Sequence, residues 1–123
     1  MELQQKPGTG ENWCITTMAT RVQLLNTEIT HEECRNFLQL LIDQGVIPQV
    51  RLFFGREKER RLGTAWLGRK EIILNRRCVE VFLHETAHFA CSYYYKDKDS
   101  HGPCFAKCLD RLIYMWLHKE TKF

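Results

Sequence analysis

The 123-residue sequence holds six cysteines but no CxxC pair. Without that spacing a zinc ribbon is not expected. The chain also lacks any apolar run near the roughly 20 residues a membrane-crossing helix needs. No secretory leader is expected: residues 1–12 are polar, with Pro7, Gly8 and Gly10, and read as a disordered lead-in. Nothing then points to secretion, so disulfides are not expected and the expected location is the cytoplasm. Internal repeats and low-complexity tracts are missing. The formal charge of +3, at a pI near 8.6, is too small to call for nucleic acid by itself.

What is present suits one domain, expected over residues 13–123. An apolar share of 44% is ordinary for a soluble globular chain. Residues 12–26 carry Trp13, Ile15, Met18, Val22, Leu24 and Leu25 and read as a first helix. Thr30-His31-Glu32-Glu33 is a capping box. The helix it opens spaces Cys34, Phe37, Leu38, Leu41 and Ile42 along one face, and Gly45 is placed to end it. Residues 49–54, 62–67 and 70–74 read as three strands joined by tight turns, which predicts an antiparallel meander. Asn75 is the expected N-cap of a long helix from Arg76 to about Tyr95. Val79, Phe82, Leu83, Thr86 and Ala90 should face its core. Pro103 suits the first turn of a last helix, with Phe105, Cys108, Leu109, Leu112, Ile113, Trp116 and Leu117 at helical spacing.

The long helix contains His84-Glu85-Thr86-Ala87-His88, and after twelve further residues comes His101-Gly102-Pro103-Cys104-Phe105. Residues four apart share a helix face, so His84 and His88 can hold one metal ion, with Glu80 on the same face. Three protein ligands and an open position make a catalytic rather than a structural zinc site. Neutral imidazoles leave the ion its charge, so it acidifies water strongly. Glu85 is the expected general base. His101, turned inward by Gly102-Pro103, is the expected third ligand, ahead of Asp97, Asp99 and Glu120. The expectation is one Zn2+ per chain. Asp110 is a candidate partner for a ligand imidazole. Tyr93, Tyr94, Tyr95 and Tyr114 are weaker candidates for oxyanion stabilisation. Cys104 and Cys108, four apart, read as small buried thiols in preference to a metal pair. His31 and His118 read as surface residues.

The motif Leu83-His84-Glu85-Thr86-Ala87-His88 with His101-Gly102-Pro103-Cys104-Phe105 resembles the zincin metallopeptidases. Within them it resembles the SprT-like group and short bacterial and phage metallohydrolases with an HExxH…HGPxF signature. Leu62-Gly63-Thr64-Ala65-Trp66, Gly68 and Glu71-Ile72-Ile73-Leu74-Asn75 look like that family's paired strands. The resemblance spans about Val50 to Leu117. It implies zinc on His84, His88 and His101, Glu85 as base, and an edge strand over the metal against which a peptide lies extended. By position that strand is Gly63 to Trp66, making Thr64, Ala65 and Trp66 candidate substrate-binding residues. It also implies a link to cleavage of DNA-bound proteins, although the cysteine-rich C-terminal module of larger members is missing here. The stretch Arg51 to Arg77 has nine cations against three anions, a concentration suited to phosphate contact.

The expected fold is therefore α+β and zincin-like: N-terminal helices, a small mainly antiparallel sheet, the HExxH helix and a C-terminal helix. The expected function is zinc-dependent hydrolysis of peptide bonds. Hydrolysis of a non-peptide substrate is the rival enzyme reading. A zinc-retaining regulatory protein without turnover is the other rival, and the intact Glu85 argues against it.

Overall fold

Thr30 opens helix α1 (His31–Asp43) with both halves of a capping box: its hydroxyl accepts the Glu33 N–H, and the Glu33 carboxylate accepts the Thr30 N–H. The computed structural model describes residues 23–57, 60–97 and 101–123. Most of the expected first helix, and the whole lead-in, lie outside them; residues 23–25 are helical. Helix α1 stops at Gly45, whose φ of 74° favours glycine. There the Gly45 and Val46 N–H groups donate back to the Ile42 and Leu41 carbonyls at 3.0 Å, satisfying acceptors the helix leaves open.

Three strands follow, β1 (Arg51–Phe54), β2 (Gly63–Trp66) and β3 (Glu71–Leu74), in the spatial order β1-β3-β2. Strands β2 and β3 are antiparallel, but β1 and β3 are parallel. The sheet is mixed, which corrects the expected antiparallel meander and the mainly antiparallel sheet. Burial explains the order. β3 carries Ile72 and Leu74, both fully buried, while β1 and β2 are part-exposed along their length. The strand richest in large aliphatic side chains takes the centre, and the more polar strands become edges.

Helix α2 (Val79–Tyr93) is capped by Cys78, three residues later than expected. Asn75 cannot serve because the segment after β3 is held by distant backbone. The Asn75 and Arg76 N–H groups both donate to the Leu62 carbonyl, the Arg77 carbonyl accepts the Ile29 N–H, and Cys78 bridges to Glu28. Long-range pairing outweighs the local capping preference here. Helix α3 (Pro103–His118) starts as expected, with Pro103 in its first turn after Gly102.

Helix α2 packs against β2, β3 and α3. Val79, Phe82, Leu83, Thr86 and Ala90 all face the core. Phe37, Phe82 and Trp116 meet edge to face, with ring centroids 5.2–6.0 Å apart, and join α1, α2 and α3. Burying a side chain the size of Phe82 stabilises the fold by roughly 2–3 kcal/mol. Every described cysteine is a free thiol. No helix among the described residues is long and apolar enough to cross a membrane.

Candidate metal centre

Helix α2 puts Leu83, Thr86, Ala87 and Ala90 into the core with no exposure, which turns His84 and His88 to the other side, one turn apart. The Thr86 hydroxyl donates to the Phe82 carbonyl at 2.7 Å, so the buried polar group inside the motif is satisfied. His101 arrives from the loop before α3. The reversal is made by His101 itself, at a left-handed φ of 62°, while Gly102 sits at an ordinary −84°. Left-handed backbone is uncommon for a side-chain-bearing residue, and it is found here at the residue that must be aimed inward.

The three imidazoles converge. One ligand nitrogen from each lies within 4.8 Å of the others, and His84 Nε2 is 3.2 Å from His101 Nε2. Two nitrogens bound at about 2.0–2.1 Å around a tetrahedral ion stand about 3.3–3.4 Å apart. The donor set therefore fits one such ion. Asp97 is not in this group; its backbone N–H donates to the Cys91 carbonyl at 3.1 Å. Asp99 lies outside the described residues, and Asp110 is exposed on α3.

Burial tunes these groups. It lowers the pKa of His84, helped by His101 and opposed by Glu80. It lowers that of His88 to about 4, with His84 and His101 adding to the effect. Both imidazoles are thus neutral donors at physiological pH. Glu85 is 8% exposed, and desolvation raises its carboxyl to about 7 against the opposing field of Arg61. A carboxyl poised there can both take and release a proton near neutrality.

The histidines and Glu85 line an open cavity of about 680 Å³ together with Arg61, Thr64, Ala65, Leu67 and Glu80. Gly63 brings β2 close to the helix: a β-carbon there would meet Val81 Cγ1 at 2.8 Å and Glu85 Cγ at 3.0 Å. Trp66 is outside the cavity lining; the residue is 42% exposed, with the Arg69 guanidinium 5.0 Å from its ring centroid. None of Tyr93, Tyr94, Tyr95 and Tyr114 lines the cavity.

Two residues that sequence reasoning left without a role stand out. Phe105 is buried with its ring centroid 5.0, 4.5 and 4.9 Å from those of His84, His88 and His101, so it props all three. Its place in the HGPxF run was the available signal. Arg61, counted above only among the cations of the 51–77 stretch, lines the cavity and is close enough for its charge to act on Glu85. Among the cations of the 51–77 stretch, Arg51 pairs with Glu71, and Arg77 lies over the Phe54 ring at 4.9 Å.

No curated protein and no solved structure matches the chain. A family model described as the SprT-like family matches residues 30–120, about three quarters of the sequence. With that match spanning both histidine motifs, the chain belongs to the SprT-like family.

Proposed function

We propose that this protein is a zinc-dependent metallopeptidase with a zincin-like site. The observation that carries the reading is the convergence of His84, His88 and His101 beside Glu85, in an open cavity walled by an edge strand. When bound, zinc supplies Lewis acidity, which acidifies water and polarises a carbonyl. Glu85 takes the proton from the attacking water and hands it to the leaving nitrogen. Phe105 keeps the three imidazoles from turning away, and Arg61 opposes the rise in the Glu85 pKa, keeping part of the carboxyl ionised.

The edge strand favours a peptide over a non-peptide substrate. Leu62 stands opposite Asn75 when the β2–β3 register is continued, and its carbonyl accepts the Asn75 N–H at 2.9 Å. Ladder bonds alternate in an antiparallel pair, so Gly63 and Ala65 turn their N–H and C=O groups away from β3. An extended chain laid along them satisfies those groups without regard to its side chains. Both residues line the cavity, which brings the laid chain to the histidines.

The test is incubation of the zinc-loaded protein with casein, with new N-termini read by mass spectrometry. The proposal expects new termini that vanish with chelator and return with zinc. Intact casein at every zinc concentration would overturn the peptidase reading. The same assay with duplex and single-stranded DNA reads whether the basic 51–77 stretch couples nucleic acid to cleavage.

A further inference from the structure

A second cluster of metal-ligating side chains lies between α2 and α3, about one turn from His88 and His101. Cys91 is one turn after His88 on α2. Cys104 is three residues after His101, and Cys108 is one turn further along α3. The sulfurs of all three lie within 4.8 Å of one another. With every pair of sulfurs that close, the three side chains converge on a common centre between α2 and α3. Cys91 and Cys108 are buried, and Cys104 is part-exposed, which leaves one side open to solvent. Asp97, at the end of α2, is close enough for its charge to act on Cys91.

We propose that Cys91, Cys104 and Cys108 form a second metal site, separate from the three histidines, for a soft d10 cation such as Zn2+ or Cu+. Three thiolates are a donor set that selects these ions over hard cations. Sulfurs bound to zinc at about 2.3 Å stand about 3.8 Å apart, so the cluster needs to contract by no more than about 1 Å. Each thiol gives its proton to solvent as its metal–sulfur bond forms, and no electron is transferred. Burial holds the thiols of Cys91 and Cys108 well above their usual pKa, so without metal these two are protonated and uptake releases their protons. The ion would clamp α2 to α3 one turn from His88 and His101, and so stiffen the elements that carry the histidines.

The test is titration of the reduced, metal-free full chain with Co2+, Zn2+ and Cu+ under argon. The proposal expects a thiolate-to-cobalt charge-transfer band in the near ultraviolet, retained in His101→Ala and lost in Cys104→Ser. Zinc stoichiometry should fall from two to one per chain in Cys104→Ser, with the far-ultraviolet circular dichroism of the wild type. Cys91→Ala gives the same readout should Cys104→Ser fail to fold. Uptake of Cu+ alone at the cysteines would support the site and identify it as a copper site. No thiolate band with cobalt, together with no cysteine-dependent uptake of Zn2+ or Cu+, would overturn it. So would loss of the band in His101→Ala, which would tie the thiols to the histidine ion.

Discussion

A methyl group on Gly63 would stand 3.0 Å from the Cγ of Glu85 and 3.1 Å from its Oε2. The edge strand and Glu85, the proposed general base, therefore lie this close only because residue 63 has no side chain. Gly63→Ala pushes β2 off α2 or turns the Glu85 carboxylate away. The expected cost is roughly 1–3 kcal/mol in stability, as for other overpacked sites. Activity should fall at least tenfold while the histidines keep their metal. Denaturant melts and metal analysis on one sample check both halves, and unchanged kcat in a folded variant would contradict the contact's role.

His101 should be required for metal at the histidine site. His101→Ala is expected to bind one zinc fewer than wild type, with affinity at that site reduced more than about a hundredfold. Elemental analysis after dialysis against a weak chelator gives the count. Full retention would move the third ligand to Asp97 or Asp99.

The metal-free protein should show the cost of burying Glu85. Its carboxyl titrates at about 7 in the fold, against an ordinary 4.5. The folded state thus binds more protons than the unfolded chain between those values. The contribution of Glu85 to stability is whole below about pH 4.5 and falls as pH rises through 7. Glu85→Gln removes that fall. The difference in unfolding free energy, wild type minus variant, should drop by about 1–3 kcal/mol between pH 5 and 8. The His84 and His88 titrations, common to both proteins, largely cancel. Chemical denaturation of the two metal-free proteins measures the difference, and a flat one would contradict the desolvated carboxyl.

Ala65→Pro tests the edge. The proline removes an N–H directed away from β3, so the sheet keeps its ladder and Tm should change little. Loss of one backbone bond to substrate should raise KM about tenfold. Unchanged KM in a folded variant would mean that substrate lies elsewhere and would favour a non-peptide substrate.

Much of this arrangement is legible in the sequence where the signal is local. The Thr30–Glu33 capping box, Gly45, Pro103 and the apolar stripe of α3 each depend on residues within a turn of one another. His84, Glu85 and His88 are legible for the same reason. The parallel pairing of β1 with β3 is not, because it depends on which strand best fills the centre of the sheet. Nor is the Cys78 cap, which long-range bonds to Thr27 and Ile29 impose. The contacts of Phe105 and Arg61 with the site, and the meeting of Cys91 with Cys104 and Cys108, need the packed helices and loops to exist first. Those long-range juxtapositions carry most of what local spacing left out.

The most direct test of the central claim is casein cleavage by zinc-loaded wild type beside zinc-loaded Glu85→Gln. The amide keeps the size of the side chain but cannot take the proton. Both proteins should carry the same histidine-bound metal, and only the wild type should cleave, with kcat in the variant reduced by at least about a hundredfold. Equal cleavage by the two, at equal metal content, would contradict Glu85 as the base and with it the proposed chemistry of this site.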